Sequence, residues 1–193
     1  MSLAVFAYGS LVSRPSAAAT LERGDLDLVA ATLTGRRRAF TLLRDNRACE
    51  KTFARRGDDW VPDHVLALDL VEGEGGRAVN GALLSVTAAE LDRLDRREIR
   101  YRRIEVTAAI GGPGTGRFER VFTYVAKPEH HAPEPPATAV VIAAYEQAVE
   151  AAFAELSEGE LDRYRATTER GTAERIDAYL VTGSIPSGNP RSW

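Results

Sequence analysis

At 193 residues, with 44% apolar and 27% charged side chains, the chain has the make-up of a soluble globular domain, alone or with an appendage, able to bury a real core. A formal net charge of −3 gives no electrostatic case for nucleic acid or an anionic membrane as partner, and a single cysteine excludes an internal disulfide or a multi-cysteine metal site. The first residues lack the basic start and long apolar run of a secretion signal, and no run approaches the roughly 18 apolar residues of a membrane span, so the expected location is the cytoplasm.

The chain opens with a short apolar run, Val5-Phe6-Ala7, feeding into Tyr8-Gly9-Ser10-Leu11. The run has the length of a buried strand that ends at a breaker. Gly9 tolerates backbone angles that a side chain resists, so the turn is expected to aim several N–H groups one way, as a nest for an anion or a developing oxyanion. An ordinary strand-ending turn reads equally well. Residues 15–21 have the composition of a short helix with proline in its first turn. Strands are expected at 26–33 and 39–43, with Arg36-Arg37-Arg38 between them as a solvated turn; one of these guanidinium forks would also suit a substrate carboxylate. Residues 49–53 read as a weak strand, 56–59 as a turn, 64–70 as a clearer strand, 72–76 as a turn and 78–86 as a further strand.

Thr87 and Glu90 have capping-box spacing and open a helix with Leu91 and Leu94 on its core stripe. Residues 103–110 and 118–126 read as strands, joined by the glycine-rich 111–116 as a hairpin. Residues 127–136 look like a proline-rich linker, 140–156 and 158–169 like helices, 173–180 like a third, and 183–193 like an irregular tail. Strand-rich order with few interleaved helices argues for an α+β fold: a small antiparallel or mixed β-barrel flanked by helices. The expected division is a core at 1–126, followed by a C-terminal helical extension and tail at 127–193 packed on the same domain.

Among chemistry-bearing residues Glu98 stands out, seven residues after Leu91 and four after Leu94. If the helix persists that far, Glu98 points along the buried stripe, where the charged form of a carboxylate is disfavoured, as suits a general base near neutrality. The alternative is an exposed glutamate at a frayed helix end, paired with Arg102. Tyr101 and Tyr124 are strand aromatics that read as core or as pocket wall. The segment Gly112-Pro113-Gly114-Thr115-Gly116 lacks the lysine and hydroxyl of a phosphate loop. His130-His131 with Glu129 and Glu134 are poorly placed to face one ion, and Cys49 has no activating neighbour. No metal and no organic cofactor is expected.

Phe6-Ala7-Tyr8-Gly9-Ser10-Leu11 resembles the substrate loop of the gamma-glutamylcyclotransferase-like family, which includes the plant avirulence-induced proteins and the gamma-glutamylamine cyclotransferases. Asn80-Gly81-Ala82-Leu83-Leu84-Ser85-Val86, then Leu94-Asp95-Arg96-Arg97-Glu98, then Tyr101-Arg102-Arg103, resemble in the same order that family's strand, helix, catalytic glutamate and following strand. The resemblance implies a transferase or lyase of the kind found in glutathione metabolism. Glu98 would be the acid/base that takes a proton from the substrate's α-amine. Tyr8, Gly9, Ser10 and Leu11 would hold the γ-glutamyl moiety of a small-molecule substrate, and Tyr101 and Tyr124 are candidates for the pocket wall. The implied reaction is closure of the α-amine on its own γ-carbonyl, releasing 5-oxoproline and an amine without a cofactor. Leu11 and Ile99 stand where the best-known branch has Asn and Gly, and the proline-tyrosine pair of its later segment survives only as Pro135-Pro136. The substrate and the oligomeric state therefore stay open, and a non-catalytic module binding a carboxylate or amide is the alternative.

Overall fold

Strand β1 (Leu3–Ala7) is buried from Ala4 onward and lies inside a six-stranded sheet of the computed structural model, which describes residues 2–73 and 78–183. An all-apolar run of this length suits a strand covered on both faces. Its antiparallel neighbour is β6 (Ala78–Val86), with Val5 opposite Leu84; its parallel neighbour is β9 (Arg120–Ala126), with Val5 opposite Phe122. Beyond β9 lies β7 (Tyr101–Glu105), and beyond β6 come β2 (Leu28–Thr34) and β8 (Ile110–Gly111). Gly81 lets β1 close down on β6: a Cβ there would stand 2.4 Å from the Ala7 carbonyl oxygen and 2.6 Å from the Phe6 ring.

A second sheet runs in the order β11 (Thr168–Glu169), β3 (Arg36–Asp45), β5 (His64–Glu72), β10 (Val140–Ile142) and β12 (Glu174–Ile176). β4 (Lys51–Arg55) pairs separately with β13 (Ala178–Gly183). Between β2 and β3 stands Gly35 at φ 75°, a left-handed conformation that favours glycine, so the chain passes from one sheet into the other without a loop. Buried Asp69 on β5 ties the sheets together. Its Oδ1 accepts the N–H groups of Leu70 (2.7 Å) and of Ala126 at the end of β9 (2.8 Å), and its Oδ2 lies 3.1 Å from His131 Nδ1. The result is a mixed α/β fold with a curled, half-barrel sheet and flanking helices α1 (Arg14–Leu21), α2 (Ala88–Arg97), α3 (Ala143–Leu156) and α4 (Glu160–Thr167). No helix among the described residues is long and apolar enough to cross a membrane.

Several expectations are corrected. Arg36, Arg37 and Arg38 are the start of β3, and Arg38 is 0% exposed. The 103–110 strand is three pieces: β7, a 3-10 turn at Thr107–Ala109, and β8. The glycine-rich 111–116 is no hairpin, because β8 pairs with β2 while β9 pairs with β7 and β1. The proline-rich segment packs on β3, where Ala132 N–H donates to the Thr41 carbonyl at 2.8 Å. The helix expected from 140 begins at Ala143. β-branched Val140, Val141 and Ile142 form the strand β10 instead, parallel to both β5 and β12. At 173–180 the chain forms β12 and enters β13 in place of a third helix, and the 158–169 helix stops at Thr167. Residues 74–77 of the turn expected after Glu72, and 184–193 of the expected tail, lie outside the described residues.

Candidate active site

The helix that carries Glu98 starts where its capping box starts. Thr87 Oγ1 accepts the Glu90 N–H (3.2 Å), and Glu90 Oε2 accepts the Thr87 N–H (2.7 Å). From this cap the stripe Leu91, Leu94, Arg97 turns inward, each residue three after the last, and all are buried. Glu98 is the C-terminal cap of α2. Its N–H closes on Leu94 O at 2.8 Å, its carbonyl accepts the Tyr101 N–H at 2.8 Å, and it is 7% exposed. Its carboxylate is not in purely apolar surroundings: Oε1 makes an ion-pair contact at 2.9 Å with Nε of Arg97, itself 3% exposed. The cation beside Glu98 is thus Arg97, not the Arg102 of the frayed-end reading.

Arg97 also reaches across to the start of the chain. One of its terminal nitrogens donates to Ser10 Oγ (3.1 Å) and Ser16 Oγ (2.8 Å); the other donates to Ser16 O (3.0 Å) and Thr20 Oγ1. The Ser10 loop is a 3-10 turn, Ser10–Val12, with the Val12 N–H on Gly9 O at 2.9 Å and the Ser13 N–H on Ser10 O at 3.2 Å. A turn of this length satisfies only its last N–H groups, so those of Ser10 and Leu11 have no partner within it. Gly9 has no positive φ, but its φ of −137° and ψ of −134° lie outside the β and right-handed α regions, and a Cβ there would meet Leu68 and the Tyr145 hydroxyl at an ordinary 3.6 Å.

Tyr8, Gly9, Ser10, Leu11, Glu98, Tyr101 and Tyr124 all line one small cleft of about 40 Å³. Phe6 and Ala7 of β1, Leu68 of β5 and Tyr145 of α3 complete the wall. The tyrosine hydroxyls are committed to the walls. Tyr8 donates to Tyr124 O (2.8 Å), Tyr101 to Leu68 O (2.7 Å) and Tyr124 to Asp95 Oδ1 (2.8 Å), while the Leu68 N–H donates to the Tyr145 hydroxyl (3.4 Å). Burial pushes the Tyr8 phenol well above its ordinary value; burial, followed by the bond to Asp95, does the same for Tyr124. Both are therefore neutral, rigid walls at physiological pH and not proton acceptors.

Two residues of the site escape sequence reasoning in different ways. Tyr145 lies on the apolar stripe of α3, where it reads as core. Arg97 carried a signal in its spacing, since an arginine three residues after Leu94 falls on the buried stripe. Among the described residues no group of three or more His, Cys, Asp and Glu side chains is arranged to hold a metal ion. Cys49 is half-buried just ahead of β4, its thiol directed at Lys51 O (3.0 Å).

A family model described as gamma-glutamyl cyclotransferase, AIG2-like, matches residues 5–140. No match is found among curated proteins. Among solved structures, YkqA from Bacillus subtilis has a TM-score of 0.56 at 21% identity, which is a likeness of fold; the alignment covers 86% of this chain and 53% of that one. At3g28950.1 from Arabidopsis thaliana gives a TM-score of 0.40 at 26% identity, covering 65% of this chain and 62% of the other. A yeast gamma-glutamyl cyclotransferase specific to glutathione gives 0.46 at 11% identity, covering 86% and 87%. The chain thus spans about half the length of YkqA and under two thirds of the first Arabidopsis protein. The family match runs from β1 to the first residue of β10 and contains both the Ser10 loop and Glu98, and the chain belongs to the gamma-glutamyl cyclotransferase, AIG2-like family.

Proposed function

We propose that the protein is a γ-glutamyl cyclotransferase acting on a γ-glutamyl amine or peptide, with Glu98 as general acid/base. One observation carries the reading: Arg97 holds the Glu98 carboxylate and the Ser10 hydroxyl, far apart in sequence, on the same small cleft. Family membership adds the reaction class. In this mechanism Glu98 accepts a proton from the substrate's α-ammonium group. The freed amine attacks its own γ-carbonyl carbon, and the oxyanion that forms is met by N–H groups of the Ser10–Leu11 turn. Collapse breaks the bond to the leaving amine, which takes the proton back from Glu98. The ring nitrogen then gives its surplus proton to the regenerated Glu98 carboxylate, which passes it to the released amine, and 5-oxoproline and the amine in its ammonium form depart. Amine and carbonyl belong to one molecule, so the fixed walls mainly hold it folded; such proximity supplies about 7–11 kcal/mol at best in well-oriented model systems.

The alternative, a non-catalytic carboxylate or amide-binding module, draws on the same ion pair: a Glu98 held by Arg97 also serves as a purely structural tie between α2 and the loop. The deciding experiment is 5-oxoproline release from a panel of γ-glutamyl amino acids, glutathione and γ-glutamyl-lysine, with Glu98→Gln in parallel. Release that disappears in a variant still able to bind substrate supports the enzyme. Binding without release from any member by the wild-type protein supports the module.

A further inference from the structure

The small cleft does not end at Glu98. It opens into a chamber of about 490 Å³, and Ser10, Glu98, Tyr101 and Tyr145 line both spaces. The chamber has the volume of a small-molecule site. Ser10, Ser13, Pro15 and Ser16 form one side, and the apolar walls come from elements outside the Ser10 loop: Leu42 of β3, Phe53 of β4, Val65 of β5, Ile142 of β10, and Ala148 and Val149 of α3. Its charged side chains are Arg44, Arg97 and Arg100 against one carboxylate, Glu98. Arg44 lies over the Phe53 ring, 5.2 Å from its centroid, and Arg100 is held by both carboxylate oxygens of Glu50 at 2.7 and 2.6 Å. The far end is therefore greasy, and its charged groups are mostly guanidiniums, Arg97 and Arg100 each already engaged by a carboxylate.

We infer that this chamber takes the leaving group of the substrate, and that the preferred leaving group is bulky, apolar and not cationic, such as an aromatic or branched amino acid. The inference rests on the cyclotransferase reading. With the γ-glutamyl end in the small cleft, the bond to be broken lies at the rim the two spaces share, beside Glu98, and the departing amine points into the chamber. An apolar side chain there leaves water for Phe53, Val65 and Ile142. A lysine side chain would bring an ammonium group among three guanidinium groups, with the carboxylates Glu98 and Glu50 already engaged by Arg97 and Arg100, where like charges repel.

The test compares γ-glutamyl-phenylalanine, γ-glutamyl-glycine and Nα-(γ-glutamyl)-lysine, whose side-chain ammonium is free. Glycine differs from phenylalanine in apolar bulk, and lysine in charge. Turnover is read as kcat/KM for 5-oxoproline release by the wild-type protein, and binding as Kd by calorimetry on Glu98→Gln. The phenylalanine compound should lead the glycine one by at least about tenfold in both measures, with the lysine compound weakest. Ala148→Trp, which adds bulk from an exposed helix position on the chamber wall, should shrink the phenylalanine-to-glycine ratio to below about threefold. Equal Kd values for the three, a lysine compound that binds best, or a ratio untouched by Ala148→Trp would overturn the inference. Absence of 5-oxoproline from every substrate would overturn the cyclotransferase reading instead, and the Kd order on Glu98→Gln would still judge the chamber.

Discussion

Two buried arginines organise two ends of this molecule, and they differ in what lies beside them. Arg97 has a carboxylate in ion-pair contact and an open cleft next to it. Arg38 is sealed in. Its guanidinium lies 4.9 Å from the Phe153 ring centroid and 4.6 Å from that of Tyr164, and it donates to Thr168 Oγ1 (3.0 Å) and to the carbonyl and side-chain oxygens of Asn80. The Asn80 amide in turn donates to Glu160 Oε2 at 2.7 Å. That cluster joins β3, β6 and β11 to α3 and α4, the C-terminal helices. Burial lowers the Arg38 pKa to about 10, so the fold holds this charge at a cost. A buried charge with both terminal nitrogens hydrogen-bonded and no access from solvent is a fastener. The same charge at the edge of a cavity, beside an acid that also faces the cavity, is a candidate for chemistry. Access and a neighbouring acid, rather than burial, separate the two.

The sharpest way to break this contrast is Glu98→Gln. Removing a general base costs about 10²–10⁴-fold in rate, so kcat/KM for 5-oxoproline release should fall by that much, with ligand Kd changed by less than about threefold. A variant that keeps its turnover would make the cleft a fastener too. Next in size is Arg97→Met, which strips the buried Glu98 carboxylate of the guanidinium that holds it. Losing one partner of a buried pair costs about 3–5 kcal/mol, readable in urea unfolding, and release should be lost as well. Arg38→Met should cost less, about 1–3 kcal/mol, because it strands neutral acceptors on Asn80 and relieves the burial of a charge. Its turnover per folded molecule should stay within about twofold of wild type. Equal stability losses for the two arginine variants would mean that the Glu98 charge is well solvated without Arg97.

What was legible in the chain follows the same division. The α2 helix could be read locally: the Thr87–Glu90 cap, the Leu91–Leu94 stripe and Glu98 at its end all lie within a dozen residues, and periodicity carries that far. β1 and the loop after it were equally plain. Arg38 was not legible, because three consecutive arginines read as a solvated turn. What buries the third is Phe153 and Tyr164, delivered from helices more than a hundred residues away. The strands β10, β12 and β13 were missed for a related reason. Segments of three to six residues carry too little periodicity to outvote a neighbouring helical pattern, and their partners β5 and β4 lie far back in the chain. The leaving-group chamber is the extreme case. Its walls come from six strands, three helices and the Ser10 loop, and apart from Arg97 and Glu98 none of those residues is unusual where it stands.

A third arginine sits between the two extremes and sets the smallest prediction. Arg100 lines the chamber, yet its fork is filled by Glu50, as a fastener's would be. The two bonds from Arg100 hold the Glu50 carboxyl at about 2, against an ordinary 4.5. A carboxylate whose folded value lies below its unfolded one adds stability that is fully present above pH 4.5 and is lost as pH falls toward 2. Glu50→Gln should therefore unfold more easily than wild type in urea at about pH 6, and the gap should narrow as the pH is taken to about 3, because the wild-type protein loses there what the variant never had. A gap of constant size would place the Glu50–Arg100 contact among exposed pairs of no consequence to the fold, and Arg100 would then be as free as Arg97 is held to meet a ligand's carboxylate.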